Sequence, residues 1–316
     1  MFNSKNDKFK VEKLPGRGDG VIALRDFQPG DLIMEDHPMI VMPGNIFERD
    51  DPDYIERWLD KKINRLSCCD REKYFNLSDA RSSDFDASIN PSKTSLGIFY
   101  TNCMSFIENS AALFPTMAKT NHSCDPNAEF FHSSREYSQQ LVATQSISKG
   151  EEITISYLHA DKEHSDEKYV RQKYLKRWYG FICQCRTCNL DGGLLRSDDS
   201  LRHSIKVLQT QNLRNLNLLD LDELVNGLRA TNSKLTYRKQ ILEFALQKAV
   251  VENDLILSAK FFTEIELIDD IANNQSYNRL DIQGKSIVGQ NKLTFQSVHI
   301  KHSSFLFSNI IAFEII

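Results

Sequence analysis

The 316-residue chain contains no run of about 18 apolar residues, so no membrane-spanning helix is expected. Its first residues, MFNSKNDKFKVEK, are polar and lack the apolar core of a secretory signal. The apolar stretch 305–316 is too short to span and is interrupted by Ser308, Asn309 and Glu314. A cytoplasmic or nuclear location without membrane attachment is therefore expected. Charge of one sign is also scarce: 39 Lys and Arg against 43 Asp and Glu leave a net charge of -4. Nothing in that balance pulls the chain toward nucleic acid or an anionic membrane, and direct nucleic-acid binding is not expected. Disulfide arithmetic fails too. Seven cysteines are an odd number, and without an export signal they read as thiols or metal ligands.

What is present is a globular composition, 41% hydrophobic and 26% charged, long enough for one large domain or two ordinary ones. Short strands dominate the N-terminal third. GRGDGVIAL sets a glycine-rich turn before an apolar strand, and Pro29-Gly30 separates it from LIMEDHPMIVM. At Asp51 the period changes to helical, with Asp51 as cap, Pro52 at the first position and Ile55, Trp58, Leu59, Ile63 and Leu66 on one face. Residues 78–95, rich in Ser and Asp, read as a surface loop. Strand signals return at AEFFHSS, QQLVATQSI and EEITISYL, the last ending in Tyr157. A helix follows with Val170, Tyr174 and Trp178 on one stripe and Gly180 as its C-terminal cap. Beyond Asp191-Gly192-Gly193 the chain becomes Leu-rich and helical: a start near Asp220, then helices over 241–250 and 255–268. A domain boundary is placed near 192, and residues 276–316 carry no assigned structure.

Three segments hold chemistry. Cys183, Cys185 and Cys188 put three thiols within six residues, which a tight turn can aim at one point. A tetrahedral zinc needs a fourth ligand from elsewhere, and if all four come from protein the site is structural. NHSCDPNA, 121–128, excludes a regular element by its composition and offers Cys124 as that fourth ligand among many hydrogen-bonding groups. GEEITISYL, 150–158, is a turn and strand whose tyrosine, read alone, is a packing residue.

Taken in order, GRGDG, NHSCDPNA, GEEITISY and YGFICQCRTC resemble the SET domain of protein-lysine methyltransferases with its post-SET zinc element. FYTNCMSF and ALFPTMAKTNHSCDPNA are similar to the SET-and-MYND (SMYD-like) group, over roughly residues 9–190. The resemblance implies an α+β chain: a β-rich SET domain over 9–160 with a helical insertion at about 45–95, a post-SET helix and cysteine cluster over 161–192, and an α-helical C-terminal region over 193–275. It also implies small curved sheets in which NHSC and GEEITISY cross in a knot-like arrangement. The implied activity is transfer of a methyl group from S-adenosylmethionine to a lysine of a histone or non-histone protein by a monomer. By motif position, Arg17, Gly18, Asp19 and Gly20 would approach the methionine part of the cofactor. Asn102, Asn121 and His122 would contact its amino-acid and adenosine portions, and Phe181 would stack near the adenine. Tyr157 and Tyr179 would line the lysine channel, and Cys124 would join Cys183, Cys185 and Cys188 on zinc.

The pattern departs from the group in several respects. Between 44 and 95 the only cysteines are Cys68 and Cys69, adjacent and without CxxC spacing, so no MYND finger is expected. Asp19 adds a negative charge where the cofactor carboxylate is expected. The rival readings are a SET-like interaction module without transfer activity, a zinc-dependent nucleic-acid binder, and a purely helical interaction protein. The first would be favoured by loss of Tyr157 or NHSC, the second needs a basic face, and the third leaves residues 9–190 unexplained.

Overall fold

The structure is a computed structural model that describes residues 7–80, 93–133 and 136–273. Most of the Ser/Asp-rich loop and the whole 276–316 tail, including the apolar stretch 305–316, lie outside the described residues. All described residues fall within one compact unit, Met1–Tyr277.

Ten strands form three small sheets among the described residues. β1 (Phe9–Leu14) and β2 (Gly18–Ala23) make an antiparallel hairpin whose tight turn carries Gly16 and Gly18 at φ of 69° and 72°, a region that favours glycine. β10 (Glu152–Ile155) pairs antiparallel with β2 on one side. On its other side it pairs in parallel with β7 (Asn121–His122), so the two motif segments are neighbours in one sheet. The second sheet orders β3 (Leu32–Asp36), β9 (Ser138–Ala143) and β8 (Ala128–Ser133), with β8 at an edge. The third orders β4 (Ile40–Met42), β6 (Ala111–Leu113) and β5 (Cys103–Ser105), with β5 at an edge. A shared core of Val21, Ile33, Phe114, Leu141, Ile153 and Ile155 fills the space between sheets. Each such buried side chain is worth about 1.5–3 kcal/mol relative to exposure.

The helical insertion comprises α1 (Gly44–Phe47), α2 (Pro52–Ile63), α3 (Cys68–Phe75) and α4 (Ser95–Asn102). α2 begins as its sequence dictates: Asp51 accepts a hydrogen bond from Tyr54 N–H, and Pro52 occupies the first position. Ile55, Leu59 and Ile63 are buried against β4, β6 and α4, with Trp58 and Leu66 packed at the edge.

α5 (Lys168–Tyr179) ends at Gly180, whose φ of 74° caps the helix as expected. Its burial corrects the predicted stripe. Val170 and Trp178 are exposed, and the inward face carries Arg171 and Leu175. A hydrophobicity pattern cannot announce an arginine as a buried residue.

Four further helices follow: α6 (Gly192–Gln209), α7 (Leu218–Ala230), α8 (Leu235–Val251) and α9 (Leu255–Ala272). α7 starts before Asp220, because Asn217 and Asp220 form a reciprocal capping box that makes Asp220 the third helical residue. α8 likewise begins at Leu235, ahead of the expected 241, because the buried Glu129 of β8 accepts the N–H groups of Leu235 and Thr236. β10 stops at Ile155, short of Tyr157, and NHSC contains a two-residue strand where none was expected. That strand exists because β10 supplies its partner.

α6 and α7 approach closely at Gly227, where a Cβ would lie 2.6 Å from Ile205 Cγ1. Gly227→Ala is expected to cost about 1–3 kcal/mol by overpacking, read as a lower denaturation midpoint at unchanged m-value. A stability equal to wild type would contradict this packing.

Between α5 and α6 runs a buried polar seam. His164 lies 3.3 Å from Thr231 Oγ1 through Nε2, and burial, with the charges of Arg202 and Arg171, holds it well below the ordinary histidine range. The unfolded chain gains a proton there below about pH 6.5 and the folded chain does not. Its contribution is thus intact above that pH and is lost by roughly 1.4 kcal/mol per pH unit on acidification. His164→Gln should make the acid limb of a stability–pH curve shallower by one proton, and an unchanged limb would refute the assignment.

Candidate functional site

The cysteine cluster is assembled by two elements far apart in sequence. Cys124 follows β7, while Cys183, Cys185 and Cys188 follow the glycine cap of α5. Their four Sγ atoms lie within 4.8 Å of one another, with Cys124 3.6 Å from Cys188 and 4.0 Å from Cys183. A tetrahedral ion with bonds of about 2.3 Å sets its sulfurs roughly 3.8 Å apart, so the donor set fits zinc in number, chemistry and spacing. Cys124, Cys183 and Cys188 are buried and pack with Leu158 and Leu175. All four corners are protein thiols, which leaves no open position for a water. Hydrogen bonds among the four thiols hold Cys185 and Cys188 below the usual thiol range, while Cys124 and Cys183 are pushed above it.

His122 ties this cluster to the tyrosine segment. Its Nδ1 accepts the Tyr157 backbone N–H at 3.0 Å, so the ring proton sits on Nε2, which lies 3.4 Å from Cys124 Sγ. Burial pushes its pKa down to about 3, so the ring is neutral. Both ring nitrogens are committed to protein, which leaves the ring itself to face a ligand.

Two clefts meet at Tyr157. The first, about 680 Å³, is lined by Arg17, Gly18, Asp19, Asn102, Asn121, His122, Tyr157, Tyr179 and Phe181, together with Lys13, Lys119 and Lys176. Gly20 stands just behind this wall, where a Cβ would press on the Leu14 side chain at 2.3 Å and the Asn121 amide at 3.1 Å. Arg17 makes a two-pronged pair with Glu152, Nη1 to Oε2 at 2.7 Å and Nη2 to Oε1 at 3.2 Å. Asn121 Nδ2 lies 2.9 Å from both the Asp19 carbonyl and Glu152 Oε1. Asp19 is not a bare negative charge: Lys119 and Lys13 reach its carboxylate at 2.6 and 2.8 Å. The hydrogen bond from Lys119, then that from Lys13, holds its pKa below the usual carboxylate value. Asn102 closes α4 and donates through Nδ2 to the Ser78 and Ile98 carbonyls, both at 2.7 Å.

The second cleft, about 560 Å³, lies between the β5 and β8 sheet edges and the turn joining α7 to α8. Met104, Ser105, Phe130, Phe131 and His132 line one side, and Arg229, Asn232, Ser233 and Lys234 the other. Thr101, Asn102, Ala118, Tyr157 and Tyr179 line both clefts and form their common wall. The Tyr157 and Tyr179 rings lie 4.8 Å apart, with Phe181 6.3 Å from Tyr157 on the first side. Tyr157 donates its hydroxyl proton to the Thr120 carbonyl at 2.7 Å. Burial raises the pKa of both tyrosines, so both stay phenols at neutral pH.

The structure thus brings the predicted residues to one place, with Gly20 one layer behind. It adds several that sequence reasoning missed: Glu152 against Arg17 and Asn121, Lys13 and Lys119 on Asp19, the Thr120 carbonyl on Tyr157, and Glu129 at the second cleft. Glu152 sat inside a quoted motif but read as an ordinary strand residue. Lys119 and Asp19 are 100 residues apart, and no local signal joins them.

The SET domain family profile matches residues 18–158. Histone-lysine N-methyltransferase set5 of Schizosaccharomyces pombe is 28% identical over 61% of this chain and 54% of its own length. ATXR2 of Arabidopsis thaliana, also named a histone-lysine N-methyltransferase, is 35% identical over 37% of this chain and 24% of its own. Protein-lysine N-trimethyltransferase SMYD5 of Danio rerio is 36% identical over 28% and 22%. Among solved structures, the SET domain of LSMT bound to lysine and AdoHcy covers 91% of this chain and 94% of that one, at 12% identity and a TM-score of 0.40. The chain spans about half the length of set5 and about a quarter of ATXR2. No described helix is long and apolar enough to cross a membrane. The Asn121–His122 strand beside β10 and Tyr157 at the meeting of the two clefts thus lie in the segment, residues 18–158, that matches the SET domain.

Proposed function

We propose that this protein transfers a methyl group from S-adenosylmethionine to the ε-amine of a lysine in a protein substrate. The observation that carries the reading is the pair of clefts sharing a wall at Tyr157 and Tyr179. One side suits a polar nucleoside-sized ligand, since cavities for such molecules are typically a few hundred Å³ with a few convergent polar groups. The other side is bordered by two sheet edges, which suits an extended peptide adding its own backbone hydrogen bonds. Relatives named as lysine methyltransferases agree with this reading.

On this reading residues 9–160 carry the chemistry, 161–192 the zinc element, and 193–275 one wall of the substrate cleft. Arg17, Gly18, Asp19, Asn102, Asn121, His122 and Phe181 hold the cofactor, with Gly20 giving the turn its close packing. The lysines that neutralise Asp19 leave the neighbouring cleft able to accept a carboxylate. S-adenosylmethionine supplies, when bound, a methyl group on a positively charged sulfur. Cys124, Cys183, Cys185 and Cys188 would hold a structural zinc that keeps Tyr179 and Phe181 against the site.

Transfer needs nitrogen, methyl carbon and sulfur nearly in line, so the chain's task is positioning. The attacking lysine must be neutral, although its free pKa is about 10.4. Entry into a dry aromatic channel beside a cation lowers that value by penalising the ammonium. Tyr157 is not the base: it stays protonated, and its proton is given to Thr120. Its oxygen lone pairs remain free to accept from the amine and set its angle. His122 is not a base either, because both its nitrogens are engaged. The proton leaves through solvent.

Calorimetry of S-adenosylmethionine with zinc-loaded protein tests the reading, with Asn121→Ala as control. Saturable binding that is lost in the control, followed by labelled-methyl transfer to lysine-containing protein, is expected. A folded, zinc-containing protein that binds no cofactor would overturn it in favour of a SET-shaped interaction module.

A further inference from the structure

Arg171 and Arg202 are the largest fully buried side chains among the described residues. A buried guanidinium is costly unless its charge is met. Arg171 Nη1 donates to the Asp166 carbonyl at 2.6 Å. Its Nη2 reaches Asp198 Oδ2 only at 3.5 Å, and that oxygen already accepts from Arg202 Nε at 2.9 Å. Nε and Nη2 of Arg171 have no hydrogen-bond partner. Two guanidinium groups therefore share one carboxylate, His164 beside them is neutral, and the seam retains a surplus positive charge.

The missing negative charge lies further along the same face of α5. Leu175, one turn beyond Arg171 on the same face, packs against Cys124, Cys183 and Cys188. Gln172 Nε2 donates to the Cys183 carbonyl at 2.9 Å. Burial alone would lower the Arg171 pKa, but the nearby Cys124 and Cys188 outweigh it and raise the pKa above its ordinary value. Four thiolates around a divalent ion leave an excess of negative charge on the centre, in a site where water is largely excluded.

We infer that Arg171 is the buried counter-cation of the four-cysteine centre, a positioning residue that raises its hold on the metal and links it through Asp198 and Arg202 to α6. The inference rests on the zinc reading of the cluster. It explains why α5 buries an arginine where packing alone would take leucine, and why its free N–H groups are tolerated.

The test is zinc affinity of the full chain, measured by competition with a chromophoric chelator beside thermal unfolding. Arg171→Met should weaken zinc binding by about 10–100-fold, the range for loss of an outer partner at a metal site, and Arg171→Lys should recover most of it. Arg202→Met should lower stability yet leave zinc affinity at the wild-type value. Asp198→Asn is the decisive variant if Arg171→Met fails to fold. It raises the positive charge of the seam, so zinc should be held at least as tightly despite a lower Tm. Zinc affinity that falls in step with stability in Asp198→Asn and Arg202→Met, or that is unchanged in Arg171→Met, would overturn the role of Arg171. A wild-type chain that takes up no zinc would overturn the metal reading beneath it.

Discussion

Cys124→Ser is expected to empty the metal site and abolish methyl transfer, while most of the fold survives. Cys124 is the one ligand contributed from beside β7; the other three come from a single short turn after α5. A serine hydroxyl is a poor replacement for a thiolate, so the remaining three ligands lose the tetrahedral closure that makes such sites tight. Structural zinc sites in small peptides are worth about 10–16 kcal/mol, and there the metal is the fold. Here three separate apolar cores do not involve the cysteines, so the loss should fall on the segment carrying Tyr179 and Phe181 rather than on the whole chain. Those two rings form part of the first cleft. Zinc content by elemental analysis should drop to background, and transfer should fall by at least roughly 100-fold, the cost of misplacing reacting groups by about 1 Å. Hydrogen exchange should speed up over 179–190 and stay slow in β2, β9 and β10. A variant that keeps its zinc, or loses it without effect on transfer, would separate the metal from the channel.

Tyr157→Phe should silence transfer with little cost to the fold. The ring contacts with Tyr179, Phe181 and His122 need no hydroxyl. What is removed is one hydrogen bond to the Thr120 carbonyl, worth about 0.5–1.5 kcal/mol. Cofactor binding should be unchanged by calorimetry, because the hydroxyl points to Thr120 and not to the polar groups of Arg17, Asn121 or Glu152. Transfer should fall by roughly 100-fold through loss of amine positioning. The pH dependence gives a second check. Burial raises the Tyr157 pKa, so no tyrosine ionisation enters the neutral range, and any rise of rate with pH belongs to the substrate lysine. Wild-type turnover in Tyr157→Phe would remove the hydroxyl from the mechanism.

The motifs were readable because each owes its form to local chemistry. A hairpin turn with two left-handed positions requires glycine, so Gly16 and Gly18 announce it. Three thiols in six residues have few uses other than a metal, and Asp51-Pro52 and Gly180 mark helix ends through backbone geometry alone. Where the reading erred, a distant partner decided. α8 begins at Leu235 because a carboxylate from β8, more than 100 residues earlier, caps it. The stripe of Val170 and Trp178 looked inward and faces solvent, because the cysteine cluster and Asp198 meet the other side of α5.

Sequence by itself determined the family resemblance, the four cysteines expected to converge and the tyrosines expected at the channel, since those depend on residue type and short-range spacing. Only the tertiary structure decided that Asp19 is neutralised by two lysines, that Arg17 is held by Glu152, and that a cation is buried beside the cysteines. Charges find their partners through space, at distances of about 3 Å that bear no relation to separation along the chain.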